Sequence, residues 1–184
     1  MKLEDRIALH RRMAEGYHSA YEHQHERQDA VYSEEWKFAD NAVYYSVYFT
    51  GGQPVAIGEL VKANGVSMTD GAALEAKAYS AVLPDWGPVE FKCWPSENGF
   101  VMRSRFAGHT KDGATMSFHM MDFVETNELG QITYWETFCD GEEFGPVAEL
   151  AIGVRGPFRN VFEYWGALSR RLQELGAVHS TEKA

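Results

Sequence analysis

Three long segments, "VEFKCW", "GFVMRSRFAGHT" and "ATMSFHMMDFVETN", follow one another with only the turns "PSENG" and "KDG" between them. Runs rich in β-branched and aromatic residues, joined by connections this short, pair as antiparallel hairpins. "GQITYWETFCD" adds one more strand to this meander, and "AVYYSVYF", ended by the turn residues of "TGGQP", supplies an earlier one. A sheet built this way has two faces, and the remaining segments must cover one of them.

The candidates for that cover are helical. Leu3, Ile7, His10, Ala14, Tyr17 and Tyr21 recur at spacings of three and four and predict a helix over residues 3–27. A second helical piece is expected at "AVYSEEWKFA", residues 30–39. A third, "SMTDGAALEAKAYSAVL", has Thr69 or Asp70 as its cap and stops before Pro84, and the stretch before it reads as a loop. An amphipathic helix over about 157–176 closes the chain with Phe158, Val161, Phe162, Trp165, Leu168, Leu172 and Leu175 on one stripe, and the tail "VHSTEKA" is expected to fray. Helices gathered on one face of a mostly antiparallel sheet make an α+β fold. A strongly curved sheet with a long helix across it encloses a cone-shaped, apolar pocket of the kind that takes small ligands.

The 184 residues suggest one domain, residues 1–184, with a substantial core. A formal net charge of −10 argues against nucleic acid and against an anionic membrane surface as partners, because both need clustered Lys and Arg. No apolar run approaches the roughly 20 residues of a spanning helix. The charged start lacks the apolar centre of a signal peptide. Cys93 and Cys139 lack a disulfide or CxxC context, so reduced thiols and a cytoplasmic location are expected. Motifs for nucleotide cofactors, a serine nucleophile or a zinc protease are missing, and no cofactor is expected.

"FADNAVYYS" and "MMDFVETNELGQITYW" resemble the nuclear transport factor two-like superfamily, which includes ketosteroid isomerase, scytalone dehydratase and polyketide cyclases. The resemblance spans most of the chain and implies the cone-shaped α+β fold and a homodimer or homotrimer with the outer sheet face buried. Against ketosteroid isomerase, Tyr17 and Asp122 take the positions that hold the oxyanion, while Ser46 stands where that enzyme has its general base. Against scytalone dehydratase, "AYEH" places Tyr21 and Glu22 at its helix-one pair, the first-strand tyrosine is Tyr45, and "FAGHT" supplies His109 as a catalytic histidine. A second catalytic histidine would fall near Glu90 or Phe91 and has no counterpart.

Alternation along the strands bears on the same residues. Met116, Phe118, Met120, Asp122 and Val124 share one face of their strand. A carboxylate in such an apolar row is either a strand-end group reaching a donor or a pocket carboxyl with a raised pKa. His109 shares a face with Arg105, Arg103 and Val101, so a pocket-facing His109 brings Arg105 toward a bound phenolate or carboxylate. Tyr44 and Tyr45 point to opposite faces, with Tyr48 on Tyr44's side. The resemblance favours Tyr45, with Tyr48 in reserve, and puts Tyr44, His119 and Met121 at the oligomer interface. His18, Glu22 and His25 could ligate a metal from one helix face, although a solvated polar face explains them better and no metal is expected. Lys77 reads as a surface lysine. Trp86 and Trp94 flank the first long strand and either stack on a ligand or plug the core.

The expected function is a cofactor-independent lyase acting on a hydrophobic aromatic or phenolic molecule, by dehydration or by related carbon–carbon cleavage that releases a one-carbon unit. His109, Tyr21, Tyr45 and Asp122 are its expected catalytic groups, and Tyr17, Glu22, Tyr48, Arg105, Trp86, Phe118 and Met120 its expected substrate contacts. The alternatives are a non-catalytic binding or assembly module and a ketosteroid-isomerase-like isomerase.

Overall fold

The computed structural model describes residues 1–22, 35–64 and 68–176. Among the described residues, five helices and six strands follow in the order α1 (Leu3–Glu22), β1 (Phe38–Tyr45), β2 (Val55–Ala56), α2 (Ile57–Asn64), α3 (Met68–Ser80), β3 (Gly87–Ser96), β4 (Gly99–His109), β5 (Thr115–Thr126), β6 (Ile132–Cys139), α4 (Gly141–Ile152) and α5 (Val161–Glu174). The strands form one sheet in the order β2-β1-β6-β5-β4-β3, antiparallel throughout except where β1 pairs with β6. This is the expected α+β fold: a mostly antiparallel sheet with a long N-terminal helix across its inner face.

Register sorts the side chains. Phe100, Met102, Ser104 and Phe106 of β4 lie opposite Val124, Asp122, Met120 and Phe118 of β5 and are buried with them. The alternate residues, Val101, Arg103, Arg105 and His109, lie on the outer face. Trp94, Met121, Phe123 and Phe138 are exposed on that same outer face.

α1 is pinned at its middle by His10. The imidazole is fully buried, its Nδ1 2.7 Å from the Ser96 carbonyl and its Nε2 2.7 Å from Thr126 Oγ1. These partners sit at the end of β3 and the end of β5, so one side chain ties α1 to both. Trp36 Nε1 donates to the Met13 carbonyl at 2.7 Å and fixes the entry to β1. No helix among the described residues is long and apolar enough to cross a membrane. Cys93 and Cys139 are unpaired.

Several expected boundaries differ. Glu35 lies in a turn, Trp36 and Lys37 carry no regular structure and strand β1 starts at Phe38, so the expected helix over 30–39 does not extend through them. Residues 30–34, the end of the first expected helix at 23–27 and the tail from 177 lie outside the described residues. The stretch read as a loop contains β2 and α2. α3 begins at Met68, which puts Thr69 and Asp70 in its first turn and not at its cap. α4 was not anticipated. Its Pro146 and two glycines hide its periodicity, yet Asp140 caps it by accepting from the Glu142 amide at 2.8 Å and Gly153 ends it at φ 74°. α5 starts four residues later than expected because Asn160 is its cap, accepting from the Phe162 and Glu163 amides.

His10→Leu removes both hydrogen bonds and leaves the buried Thr126 hydroxyl without its ring partner. The expected loss is about 2–4 kcal/mol in urea unfolding at pH 7.5. Burial holds the His10 pKa below 6.5, so its contribution is complete above pH 6.5 and lost as pH falls through the lowered folded value. Wild type should therefore lose stability on acidification in that range more steeply than His10→Leu does.

Candidate functional site

The inner face of the sheet is not fully covered by α1, which packs chiefly on β3 and β4. Between α1, the sheet and helices α3, α4 and α5 lies a cavity of two lobes that share Tyr17, Tyr21, Phe49, Glu75 and Met120. One lobe runs under Trp86, Phe106, Phe118 and Phe144. The other runs toward Tyr44, Trp135, Thr137, Tyr164 and Trp165. The lobes hold about 40 and 90 Å³, room for several waters by the measure of ~10–15 Å³ each.

Aromatic rings make most of the wall, and they brace one another. Phe106 and Phe118 stack at 5.5 Å, and Trp86 stacks on Phe118 at 5.7 Å and on Tyr79 at 5.7 Å. Phe118 meets Phe144 edge-on at 4.6 Å. On the other side Tyr17, Trp36 and Trp135 form a chain, with Tyr44 edge-on to Trp135 at 5.2 Å. Such contacts fix ring orientation and contribute about 0.5–1.5 kcal/mol per pair beyond area burial.

Within this apolar wall lies one carboxyl open to both lobes. Ala72, Glu75, Ala76 and Tyr79 share a face of α3, and the two alanines leave Glu75 unobstructed between α1 and α5. Tyr164 of α5 donates its hydroxyl to Glu75 Oε1, and its oxygen lies 3.4 Å from the Tyr79 hydroxyl. Burial pushes the Glu75 carboxyl up from 4.5 to about 7, with the Tyr164 hydrogen bond pulling partly the other way. Tyr79 and Tyr164 are driven well above the ordinary tyrosine value, by burial first and then by Glu75, and both remain protonated at any working pH.

A second carboxyl, Asp122, lies behind the cavity floor. It is 1% exposed, and its Oδ1 accepts from Trp135 Nε1 at 2.8 Å and from Thr137 Oγ1 at 2.7 Å. Its Oδ2 is buried and makes no hydrogen bond among the described residues. Burial raises this carboxyl from 3.8 to about 6, against the pull of the Thr137 and Trp135 hydrogen bonds. Trp135 and Thr137 line the second lobe, so Asp122 positions wall groups and does not reach the cavity itself.

Of the residues expected at the site, Tyr17, Tyr21, Trp86, Phe118 and Met120 do line the cavity. Five do not. His109 sits on the outer parity of β4 at the strand's end, exposed, with Nδ1 2.6 Å from Asp85 Oδ2 and its amide donating to Asp85 Oδ1. Arg105 shares that outer face and pairs with Glu90 at 3.0 Å. Tyr45 lies opposite Glu136 on the outer side, and its hydroxyl lies over Gly52. Tyr48 belongs to the turn after β1, where its hydroxyl donates to the Arg155 carbonyl and its ring packs on Phe144 and Phe158. Glu22 is exposed, 3.9 Å from His18, whose ring stacks on Phe91. Tyr44, expected at an interface, lines the cavity instead.

Elsewhere, Trp94 is on the outer face, and His119 is held by Glu143 of α4 at 3.0 Å. Among the described residues no group of His, Cys, Asp or Glu is arranged to hold a metal, and His25 lies outside them.

No protein-family model matches the chain, and no curated protein matches it. Solved structures do. A phenazine biosynthesis-related protein from Pseudomonas aeruginosa is 17% identical, with 84% of this chain and 94% of that one covered at a TM-score of 0.46. A steroid delta-isomerase from Pseudomonas aeruginosa is 15% identical, with 97% and 99% covered at 0.44. A nuclear transport factor two-like protein of unknown function from Cytophaga hutchinsonii is 12% identical, with 73% and 99% covered at 0.47.

Glu75 was not anticipated. Its signal was present in "AALEAKAYS": a lone carboxyl at i, i+3, i+4, i+7 with Ala72, Ala76 and Tyr79, an otherwise apolar face. A raised carboxyl pKa makes the folded form hold its proton more tightly than the unfolded one. The Glu75 contribution is thus complete below pH 4.5 and lost as pH rises through about 7. Comparing wild type with Glu75→Gln cancels the titration of His10 and Asp122. From pH 5 to pH 8 wild type should lose on the order of 2–3 kcal/mol relative to Glu75→Gln in urea unfolding. Parallel pH profiles for the two proteins would show that Glu75 is not strained by burial.

Proposed function

We propose that this protein is an enzyme that moves a proton on a hydrophobic aromatic small molecule inside the two-lobed cavity, and that Glu75, not His109, carries the proton. The observation behind this is a carboxyl that opens on both lobes, braced by Tyr164, with its ionisation poised near neutral pH. A general base with a pKa near the working pH combines a useful ionised fraction with useful basicity.

The reaction that fits is elimination of water. Ionised Glu75 takes a proton from a carbon next to a carbonyl or phenolic ring, and the C–H electron pair becomes the new double bond. The β carbon–oxygen bond breaks, and the departing hydroxyl takes the proton back from Glu75 and leaves as water. One carboxyl serves in both steps, so the sum is substrate to alkene plus water. The Tyr164 hydroxyl steadies the carboxylate throughout. Asp122 holds Trp135 and Thr137 in place and acts as a positioning residue. Proton transfer of this kind is worth about 10²–10⁴-fold. A retro-aldol cleavage that releases a one-carbon unit needs the same base and is the close variant.

Mass-resolved turnover over a panel of aromatic diols, ketols and hydroxylated polyketides tests this reading. Water loss is expected, with kcat rising as pH increases through about 7. Glu75→Gln should lower kcat by about 10²–10⁴-fold, whereas His109→Ala should stay within about twofold of wild type. Retention of most turnover by Glu75→Gln would refute its role. The small lobe volumes favour one second reading, a binding module for a small planar ligand. Tight binding of a panel member with no conversion would select it.

A further inference from the structure

Glu75 enters the cavity from α3, whereas Asp122, on the inner face of β5, is bonded to Trp135 and Thr137 and does not line either lobe. The only charge-bearing side chain among the described lining residues is Glu75, and the rest of the wall is aromatic, aliphatic or hydroxylic. A charge brought into so enclosed a space interacts with Glu75 through little water and is weakly screened. We propose that the cavity selects ligands by charge, accepting uncharged hydroxyaromatic skeletons and rejecting the same skeletons when they carry a carboxylate, and that Glu75 is the specificity-determining residue. This rests on the cavity being the ligand site but not on the lyase chemistry.

The physical contrast is with a phosphate- or carboxylate-binding pocket, where Arg, Lys or a helix N-terminus meets the anion. Here an anion would displace water from aromatic faces whose π-clouds are themselves negative, and then meet an acid. A neutral phenol meets groups that suit it. Its hydroxyl can donate to Glu75, and its ring can lie among rings already braced edge-on and stacked.

Among the described residues, the titratable groups facing Glu75 are Tyr17 and Tyr21 of α1, Tyr79 on its own helix, Tyr164 on α5, and Tyr44 and Cys139 on β1 and β6. Burial raises Tyr79, Tyr164, Tyr44 and Cys139 above their ordinary values, with the Cys139 thiol pushed up to about 12. Behind the floor, Asp122 is raised to about 6. Between pH 5.5 and 8.5 the change in charge around a ligand therefore comes mainly from Glu75, with Asp122 adding in the same direction.

The test is binding of 2-naphthol, methyl 2-naphthoate and 2-naphthoate, measured by tryptophan fluorescence and calorimetry on the full chain. At pH 8.5 the two neutral probes should bind at least tenfold more tightly than the anion. At pH 5.5, where the naphthoate is still ionised, the gap should shrink to within about threefold. Glu75→Gln should show the small gap at both pH values, while Tyr164→Phe, which keeps the charge, should retain the large gap at pH 8.5. Circular dichroism and Tm establish that each variant is folded, and the wild-type pH comparison decides if the Gln variant is not. The proposal is overturned if naphthoate binds within threefold of the ester at pH 8.5, if the gap survives in folded Glu75→Gln, or if neither neutral probe binds. An intact gap without turnover of any panel member would retire the lyase reading alone. Turnover of an anionic substrate would retire this proposal alone.

Discussion

The inner face of the sheet is larger than one helix can cover, and the site follows from that mismatch. α1 lies along β3 and β4, held there by His10 and its two partners. The other half of the face, carrying Phe118, Met120, Trp135 and Thr137, is left to α3, α4 and α5. These helices meet it with rings: Tyr79, Phe144 and Tyr164. Flexible aliphatic chains fill gaps to the density of organic crystals. Rings have few rotamers and brace one another at fixed centroid distances, and they can leave a space that none of them bends into. The cavity is the remainder of that packing.

Two carboxyls sit against this remainder, and each is handled differently. Asp122 has both donors on the same oxygen, from two residues of the neighbouring strand, so its position is set by the sheet register itself. It behaves as a fastener: Trp135 and Thr137 are turned toward the floor because their polar atoms are engaged there. Glu75 has its anchor on another helix. The Tyr164 hydroxyl joins α3 to α5 across the second lobe, and the Trp165 ring packs against Gly71 one turn earlier, where a Cβ would lie 2.2 Å from it. That close approach needs a glycine, and it brings α5 near enough for Tyr164 to reach the carboxyl. A desolvated acid in an apolar wall is costly to ionise. Here the cost appears as a raised pKa, which supplies an exchangeable proton near neutral pH.

The sheet was legible because its signals are local. Short polar turns between long β-rich runs leave only a meander, and alternation on β5 placed Phe118, Met120 and Asp122 on one face. The α1 stripe likewise put Tyr17 and Tyr21 where they lie. Helices α2 and α4 were hidden by composition. α2 is two turns long, and α4 carries Gly145 and Pro146 inside it, with its hydrophobic face set by packing on β5 and not by propensity. Only its caps, Asp140 and Gly153, were written plainly. Glu75 was missed for a related reason. A Glu beside a Lys in an alanine-rich helix looks like a solvated pair until the opposite wall is known, and that wall comes from α1 and α5, some 50 to 90 positions away in the chain.

His109 is the instructive case, because the correction needed no structure. Phe100, Met102 and Phe106 mark the even positions of β4 as the buried set, and Arg103 and Arg105 mark the odd positions as the wet one. His109 is odd. A strand cannot turn one side chain inward without a bulge, and β4 pairs with β5 without a break from Gly99 to His109. Motif similarity placed the histidine by its distance along the chain, whereas the buried set of Phe100, Met102 and Phe106 fixes its face, one residue out of step with the inner one. The same parity on β1 separates Tyr44 from Tyr45, and again the inward residue is the one that alternation allows beside Ala42. Face is decided by steric pleating at every residue, while a motif borrowed from a distant likeness carries no such constraint. Where the two conflict, the pleat decides which groups can face the cavity, and here it puts His109 and Tyr45 outside it.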